Sequence, residues 1–227
     1  MRARLRAAAL AASQRSRQRR AEVFWSEIRP SPSDRILDVG SEDGSHIAAL
    51  VPWRENVWIA DIAAAPLAAG RERYGFETVL LDESGTLPFP DDHFDVIFCS
   101  SVLEHVSIDK DELATVHSRR EFDRLAYARQ RRFAAELARV GRRCFVQTPY
   151  RYFPLETHTW LPMPIALLPR RVQLPLVAWL NSWWIKSTQL DFHLLTVRQM
   201  QELFPDATIR IERFLGVPKS LIAVRAR

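Results

Sequence analysis

"RILDVGSEDGSH", residues 35–46, runs from a short apolar stretch through an aspartate into a turn with two glycines, Gly40 and Gly44. "RILDVG" (35–40) reads as a buried strand and "SHIAAL" (45–50) as the helix that follows it. The chain has only seven glycines, so two within five residues is a concentration that asks for a reason. A glycine turn lets the backbone approach a ligand closely, and the amides at the start of the next helix offer donors.

Working outward, apolar runs recur at "NVWIAD" (56–61), "ETVLLD" (77–82), "HFDVIFCSS" (93–101) and "RCFVQTP" (143–149). A charged stretch, 109–140, contains "RRFAAELARV", whose apolar positions fall at helical spacing. Strands alternating with helices require crossovers and a mostly parallel sheet. The end of the chain differs. "TVRQMQELF" opens with Thr196 and Gln199 in capping-box spacing, which predicts a helix start. "ATIRIERFLG" and "KSLIAVRAR" then flank a Gly-Val-Pro turn and predict an antiparallel hairpin at one sheet edge. The expected fold is therefore α/β and Rossmann-like, with a seven-stranded mostly parallel sheet, a C-terminal antiparallel hairpin and helices on both faces. Residues 1–30 read as a basic helical segment and 31–227 as the main domain. Within it, 149–195 is an insertion or lid rich in proline and aromatics.

Composition narrows the class. Of the 227 residues, 47% are apolar and seven are tryptophan, which predicts a folded core. The net charge of +5 is carried by arginine, since lysine occurs only at 110, 186 and 219, and it favours anionic partners. Cys99 and Cys144 both sit in apolar runs, so neither a disulfide framework nor a metal site is expected. The arginine- and alanine-rich start lacks the apolar centre of a secretory signal. A cytoplasmic location follows as an expectation.

In an open parallel sheet, ligands bind beyond the C-terminal strand ends. The first three runs each end in an aspartate: Asp38, Asp61 and Asp82. Asp61, one strand beyond the glycine turn, is placed to accept hydrogen bonds from a ribose diol, which points to an adenosine-containing ligand.

"LDVGSEDG" (37–44), Asp61, Asp82 and "LPFPDDHFDVIFCSSVLEHV" (87–106) together resemble the class I S-adenosylmethionine-dependent methyltransferases, in particular their type 11 small-molecule branch. The resemblance implies S-adenosylmethionine as cofactor and S-adenosylhomocysteine as product. It also implies a cofactor site of Asp38, Gly40, Ser41, Gly44, Asp61, Ile62, Asp82, Glu83 and Ser100. One departure stands out: many relatives carry glycine where this chain has Glu42, whose side chain must then point away from the cofactor.

Methyl transfer from a sulfonium depends largely on holding nucleophile and methyl in near-attack geometry, and oxygen nucleophiles gain from a general base. Enzymes that methylate adenine or glutamine nitrogen carry Asp/Asn-Pro-Pro-Tyr at the fourth strand. Here Cys99-Ser100-Ser101-Val102 stands there. "TPYRYFPLETHTWLPMP" (148–164) follows the fifth strand and resembles a stretch of glycan and cell-envelope methyltransferases. His158 is the expected base, with Glu156 orienting it, Arg151 holding an anionic substrate group and Tyr150 and Tyr152 lining the acceptor. His105 is the second catalytic candidate. The segment 160–186 combines leucine, tryptophan and basic residues but is broken by prolines, which fits an interfacial contact at the inner membrane face rather than a span. The acceptor is expected to be a small molecule, a glycan or a lipid-linked compound. An RNA methyltransferase and a non-catalytic cofactor-binding scaffold are the competing readings, and nucleic acid is disfavoured because no RNA-binding module is evident.

Overall fold

The computed structural model describes residues 14–108, 116, 118–154, 172, 175, 176, 179 and 192–226. A helix over 14–23 continues as a π-turn at Phe24–Ile28, and the two are α1. Then follow β1 (Ile36–Val39), α2 (Ser45–Leu50), β2 (Val57–Asp61), α3 (Ala64–Tyr74), β3 (Glu77–Leu80) and β4 (Phe94–Ser100). A short 3-10 turn, Leu103–His105, leads on to α4 (Arg119–Val140), β5 (Gly141–Pro149), α5 (Val197–Leu203), β6 (Thr208–Phe214) and β7 (Val217–Arg225).

The seven strands form one sheet in the order β3-β2-β1-β4-β5-β7-β6. The first five are parallel, while β7 runs antiparallel to both β5 and β6. This is the expected Rossmann-like architecture with its C-terminal hairpin. Strand order reverses between β1 and β4, so the crevice for a ligand opens beyond their C-terminal ends.

Side chains alternate across the strands, and that alternation builds two apolar layers. Ile36, Val96, Phe98, Phe145, Ile222 and Val224 point to a layer closed by Phe24 and Ile28 of α1, Ile47 and Leu50 of α2, and Leu67 of α3. Leu37, Val39, Ile97, Cys99, Val146 and Leu221 point the other way, against Phe133 and Leu137 of α4 and Met200 and Leu203 of α5. Phe24 is fully buried and meets Phe98 and Phe145 edge-on, at ring-centre distances of 5.5 and 5.6 Å. The indole nitrogen of Trp25 donates to the Leu50 carbonyl (3.0 Å), so α1 is fastened to α2 as well as to the sheet.

Local signals explain several boundaries. At the start of α5, Thr196 Oγ1 accepts from Gln199 N–H (3.3 Å) and Thr196 N–H donates to Gln199 Oε1 (3.0 Å), the reciprocal pair its spacing predicts. β1 lies within the strand read at 35–40, and Asp38 pairs in register with Ile59 and Phe98 with its side chain on the buried face. Two boundaries differ from the sequence reading. β3 stops at Leu80, so Asp82 lies two residues beyond it, in a turn where Asp82 Oδ1 accepts from Ser84 N–H (3.0 Å). The hairpin turns at Leu215-Gly216 rather than at Gly-Val-Pro, and Val217 and Pro218 already belong to β7. Both turn residues have positive φ (49° and 82°), the combination a tight two-residue hairpin requires. The lost Pro218 donor falls where the β6–β7 register shifts.

Leu215 is 88% exposed and held in a left-handed conformation. A branched residue there costs on the order of 1 kcal/mol, and asparagine tolerates the conformation far better. Leu215→Asn should therefore raise the thermal midpoint by about 2–4 °C in a calorimetric scan.

Candidate active site

The turn after β1 is tight by construction. Gly40 has φ of 74°, its N–H donates to the Ala60 carbonyl (2.7 Å), and a Cβ built on it would lie 2.3 Å from Val102 Cγ2. No side chain fits between this turn and the segment leaving β4. Two residues on, Glu42 also has positive φ (51°), in the region glycine occupies freely. Its side chain is exposed, as the departure from the relatives' glycine requires.

What holds the turn is Asp61, the last residue of β2. Its Oδ2 accepts from Glu42 N–H (2.9 Å) and its Oδ1 from Ala63 N–H (3.0 Å), so one carboxylate ties the β1 turn to the β2 turn. Asp43 Oδ1 in turn accepts from Ser45 N–H (3.0 Å) at the start of α2, and this contact keeps the exposed Asp43 carboxyl below its usual range.

Asp38 lies beneath the turn, 2% exposed, and its Oδ2 has no hydrogen-bond partner among the described residues. Burial, reinforced by the nearby Asp61, pushes its carboxyl well above the ordinary carboxylate range. Ser41 Oγ is likewise buried and unpartnered among the described residues. An acceptor and a hydroxyl kept from water without partners, beside a turn that excludes Cβ atoms, fit a polar ligand that supplies the missing bonds. Ile62 (58% exposed), Asp82 and Glu83 stand exposed at the ends of β2 and β3, where a ligand extended from the turn would pass.

On the other side of β1, Ser100 closes β4. Ser100 Oγ and Ser101 Oγ donate to Oε1 of the buried Gln147 on β5, at 2.8 and 3.0 Å, and Arg20 of α1 donates to the same oxygen. Neither Gln147 nor Arg20 is among the residues expected from sequence. Gln147 had a signal, a polar residue within an apolar strand and two places from Phe145, hence on its face. Arg20 had none, because nothing distinguishes it from the other arginines of the N-terminal segment until α1 is placed on the sheet.

Beyond β5 stand Tyr150, Arg151 and Tyr152, with the two tyrosine rings edge to face at 5.6 Å and Tyr152 exposed. The Arg151 guanidinium pairs with Asp123 of α4 (3.1 Å), which also accepts from Arg119 Nε (2.9 Å). Next to this trio, His193 is buried. Its Nδ1 is 2.8 Å from Gln130 Oε1, and Gln130 Nε2 donates to the carbonyls of Leu103 and His193. The structure thus brings Arg151 into a cluster that sequence reasoning did not find. His105 is exposed on the turn after β4, while its neighbour Glu104 is buried and accepts from Thr148 Oγ1 (3.0 Å). Glu156, His158 and nearly all of the 160–186 segment lie outside the described residues.

Two measurements check this geometry. Gly40→Ala should abolish cofactor binding in calorimetry, and the double variant with Val102→Ala should recover part of it, since the clash is with the valine methyls. The second is a pH dependence. Burial lowers His46 and His193 to about 4, against 6.5 for a solvated imidazole. A depressed folded-state value means stability that is complete above pH 6.5 and lost as pH falls toward 4, because the unfolded chain takes up the protons first. Asp38, raised by burial, acts in the opposite sense. The His193 share is therefore read as the difference between the intact protein and His193→Asn in denaturant titrations from pH 7 to 4.5, and the variant should show the shallower acid loss.

Residues 37–143 match the family model described as a methyltransferase domain. No curated protein matches the chain in sequence. Among solved structures, magnesium protoporphyrin IX methyltransferase from Synechocystis PCC 6803, crystallised with S-adenosylhomocysteine, superposes with a TM-score of 0.56 at 13% identity, covering 95% of this chain and 84% of that one. The PH0226 protein of Pyrococcus horikoshii OT3 gives 0.56 at 14% identity, covering 93% and 89%. An S-adenosylmethionine-dependent methyltransferase from Mesorhizobium loti gives 0.50 at 17% identity, covering 88% and 96%. At such identities the superpositions speak for the fold, and the domain match speaks for the chemistry. The chain thus has a match to a methyltransferase domain over residues 37–143 and the fold of the S-adenosylmethionine-dependent methyltransferases, and together these support a class I enzyme of that kind.

Proposed function

We propose that the chain transfers the methyl group to a hydroxyl oxygen of a small-molecule, glycan or lipid-linked acceptor. The observation that carries this reading is the end of β4. Ser100 and Ser101 stand where enzymes acting on adenine or glutamine nitrogen present an Asp/Asn-Pro-Pro-Tyr loop, and their hydroxyls are turned onto Gln147. The aromatic rim of Tyr150 and Tyr152 beside that edge suits a ring-shaped or glycosidic acceptor, with Arg151 at its polar end.

When bound, the cofactor supplies an electrophilic methyl on a positively charged sulfur. Asp61 would receive the ribose hydroxyls while keeping its hold on the two turns. Asp82, Glu83 and Ile62 would border the adenine, and Gly40, Ser41 and Gly44 would let the turn lie against the amino-acid end. Asp38, shielded from water, would accept a hydrogen bond from the ammonium of that end, which would draw its carboxyl back to the charged form. Ser100 would mark the boundary between cofactor and acceptor. His158, oriented by Glu156, would take the proton from the acceptor hydroxyl as the oxygen attacks, with His105 as the alternative base.

The segment 1–30 is proposed as a basic helical element of the domain and 149–195 as the acceptor-binding insertion. A lipid-linked acceptor would bring 160–186 to the inner membrane face of the cytoplasm. Among the described residues, no helix is long and apolar enough to cross a membrane.

Incubation with methyl-labelled cofactor and a panel of hydroxyl, amine and RNA acceptors tests the proposal. A methyl ether product is expected, with kcat lowered roughly 10²–10⁴-fold in His158→Ala and KM little changed. Label appearing in RNA, with binding that weakens steeply as salt rises, would overturn it.

A further inference from the structure

Arg20 has a role that the cofactor turn and the acceptor rim do not explain. It reaches from α1 to the face of the sheet carrying Asp38, Phe98 and Ser100, which alternate onto one side and flank the strand-order reversal. Its guanidinium is largely withdrawn from water, and burial lowers its pKa despite the favourable fields of Glu212 and Glu104. Its Nε is buried with no hydrogen-bond partner among the described residues. The acceptor it does have is a neutral amide oxygen, Gln147 Oε1, which also receives Ser100 and Ser101. A carbonyl oxygen offers two lone pairs, so three donors on it leave one donor in surplus. A guanidinium withheld from water with a spare donor edge, beside two hydroxyls, is built for an oxyanion, which guanidinium groups bind in two-pronged fashion.

We propose that Arg20 is an anion-binding residue of the transfer site, holding a carboxylate or phosphate of a ligand seated against Ser100, Ser101 and Gln147. This rests on the reading of that edge as the site of methyl transfer. Two sources share the chemistry: the amino-acid carboxylate of the cofactor, and an acidic group on the acceptor.

Calorimetry on the intact chain, Arg20→Gln and Arg20→Lys separates them. The probes are S-adenosylhomocysteine, 5′-methylthioadenosine (which lacks the amino-acid end) and inorganic phosphate, the last with and without S-adenosylhomocysteine present. If Arg20 holds the cofactor carboxylate, Arg20→Gln weakens S-adenosylhomocysteine at least tenfold and leaves 5′-methylthioadenosine unchanged, and Arg20→Lys restores part of the loss. If it holds an acceptor anion, both adenosine ligands bind the variant normally, and phosphate binding to the S-adenosylhomocysteine-saturated protein is lost. The proposal is overturned if all three probes bind Arg20→Gln as they bind the intact chain. It is also overturned if the two adenosine ligands weaken equally while Glu212→Gln does the same, which would make Arg20 a partner of Glu212 that merely shapes the pocket. Failure of the intact chain to bind either adenosine ligand would instead count against the cofactor site, and phosphate alone would then decide for or against Arg20.

Discussion

The site depends on a single carboxylate. Asp61 receives one amide hydrogen from the β1 turn and one from its own turn, and it fixes the distance between them. That bridge acts directly on the amide of Glu42, a side-chain-bearing residue held at positive φ, and opposes its relaxation. The second constraint is the contact at Gly40, where Val102 occupies the space a Cβ would need. Together they press the β1 turn between β2 and the segment leaving β4, with Asp38 buried beneath it and the Ser41 hydroxyl turned inward. The strain of a left-handed glutamate and an unpartnered buried carboxyl is tolerable when a ligand completes the arrangement.

The rest of the fold serves that crevice. The parallel order of β3-β2-β1-β4-β5 gathers five C-terminal strand ends along one edge, and the helices cover the two faces of the sheet. α1 does more than cover. Phe24 anchors it in the Phe98–Phe145 stack, and from that anchor Arg20 is carried to the strand ends. On the opposite face, Gln130 ties the turn after β4 to the segment before α5 through the carbonyls of Leu103 and His193. Side-chain amides thus add to the backbone pairing on both faces of this edge.

Much of this was legible in the sequence, for physical reasons. Strands buried on both faces appear as apolar runs, and the glycine pair marks the one place where the backbone must turn without side chains. The capping box at Thr196 and Gln199 fixed the start of α5. Asp61 stands out in the sequence for its place one strand beyond the glycine turn, but its bracing of that turn is seen only in the structure. What escaped was long-range. Arg20 and Gln147 are 127 positions apart, and Gln130 and His193 are 63 apart, so no local pattern joins them. The hairpin turn was misplaced by one to two residues because Val-Pro resembles a turn locally, whereas the strand pairing continues through it.

The most direct test is a calorimetric titration of the intact protein and Asp61→Ala with S-adenosylhomocysteine. Micromolar binding by the intact chain, weakened at least tenfold or about 1.4 kcal/mol by the substitution, is the predicted result. Binding of equal strength by both would contradict the account, because it would mean that the carboxylate joining the two turns neither shapes the pocket nor touches the ligand.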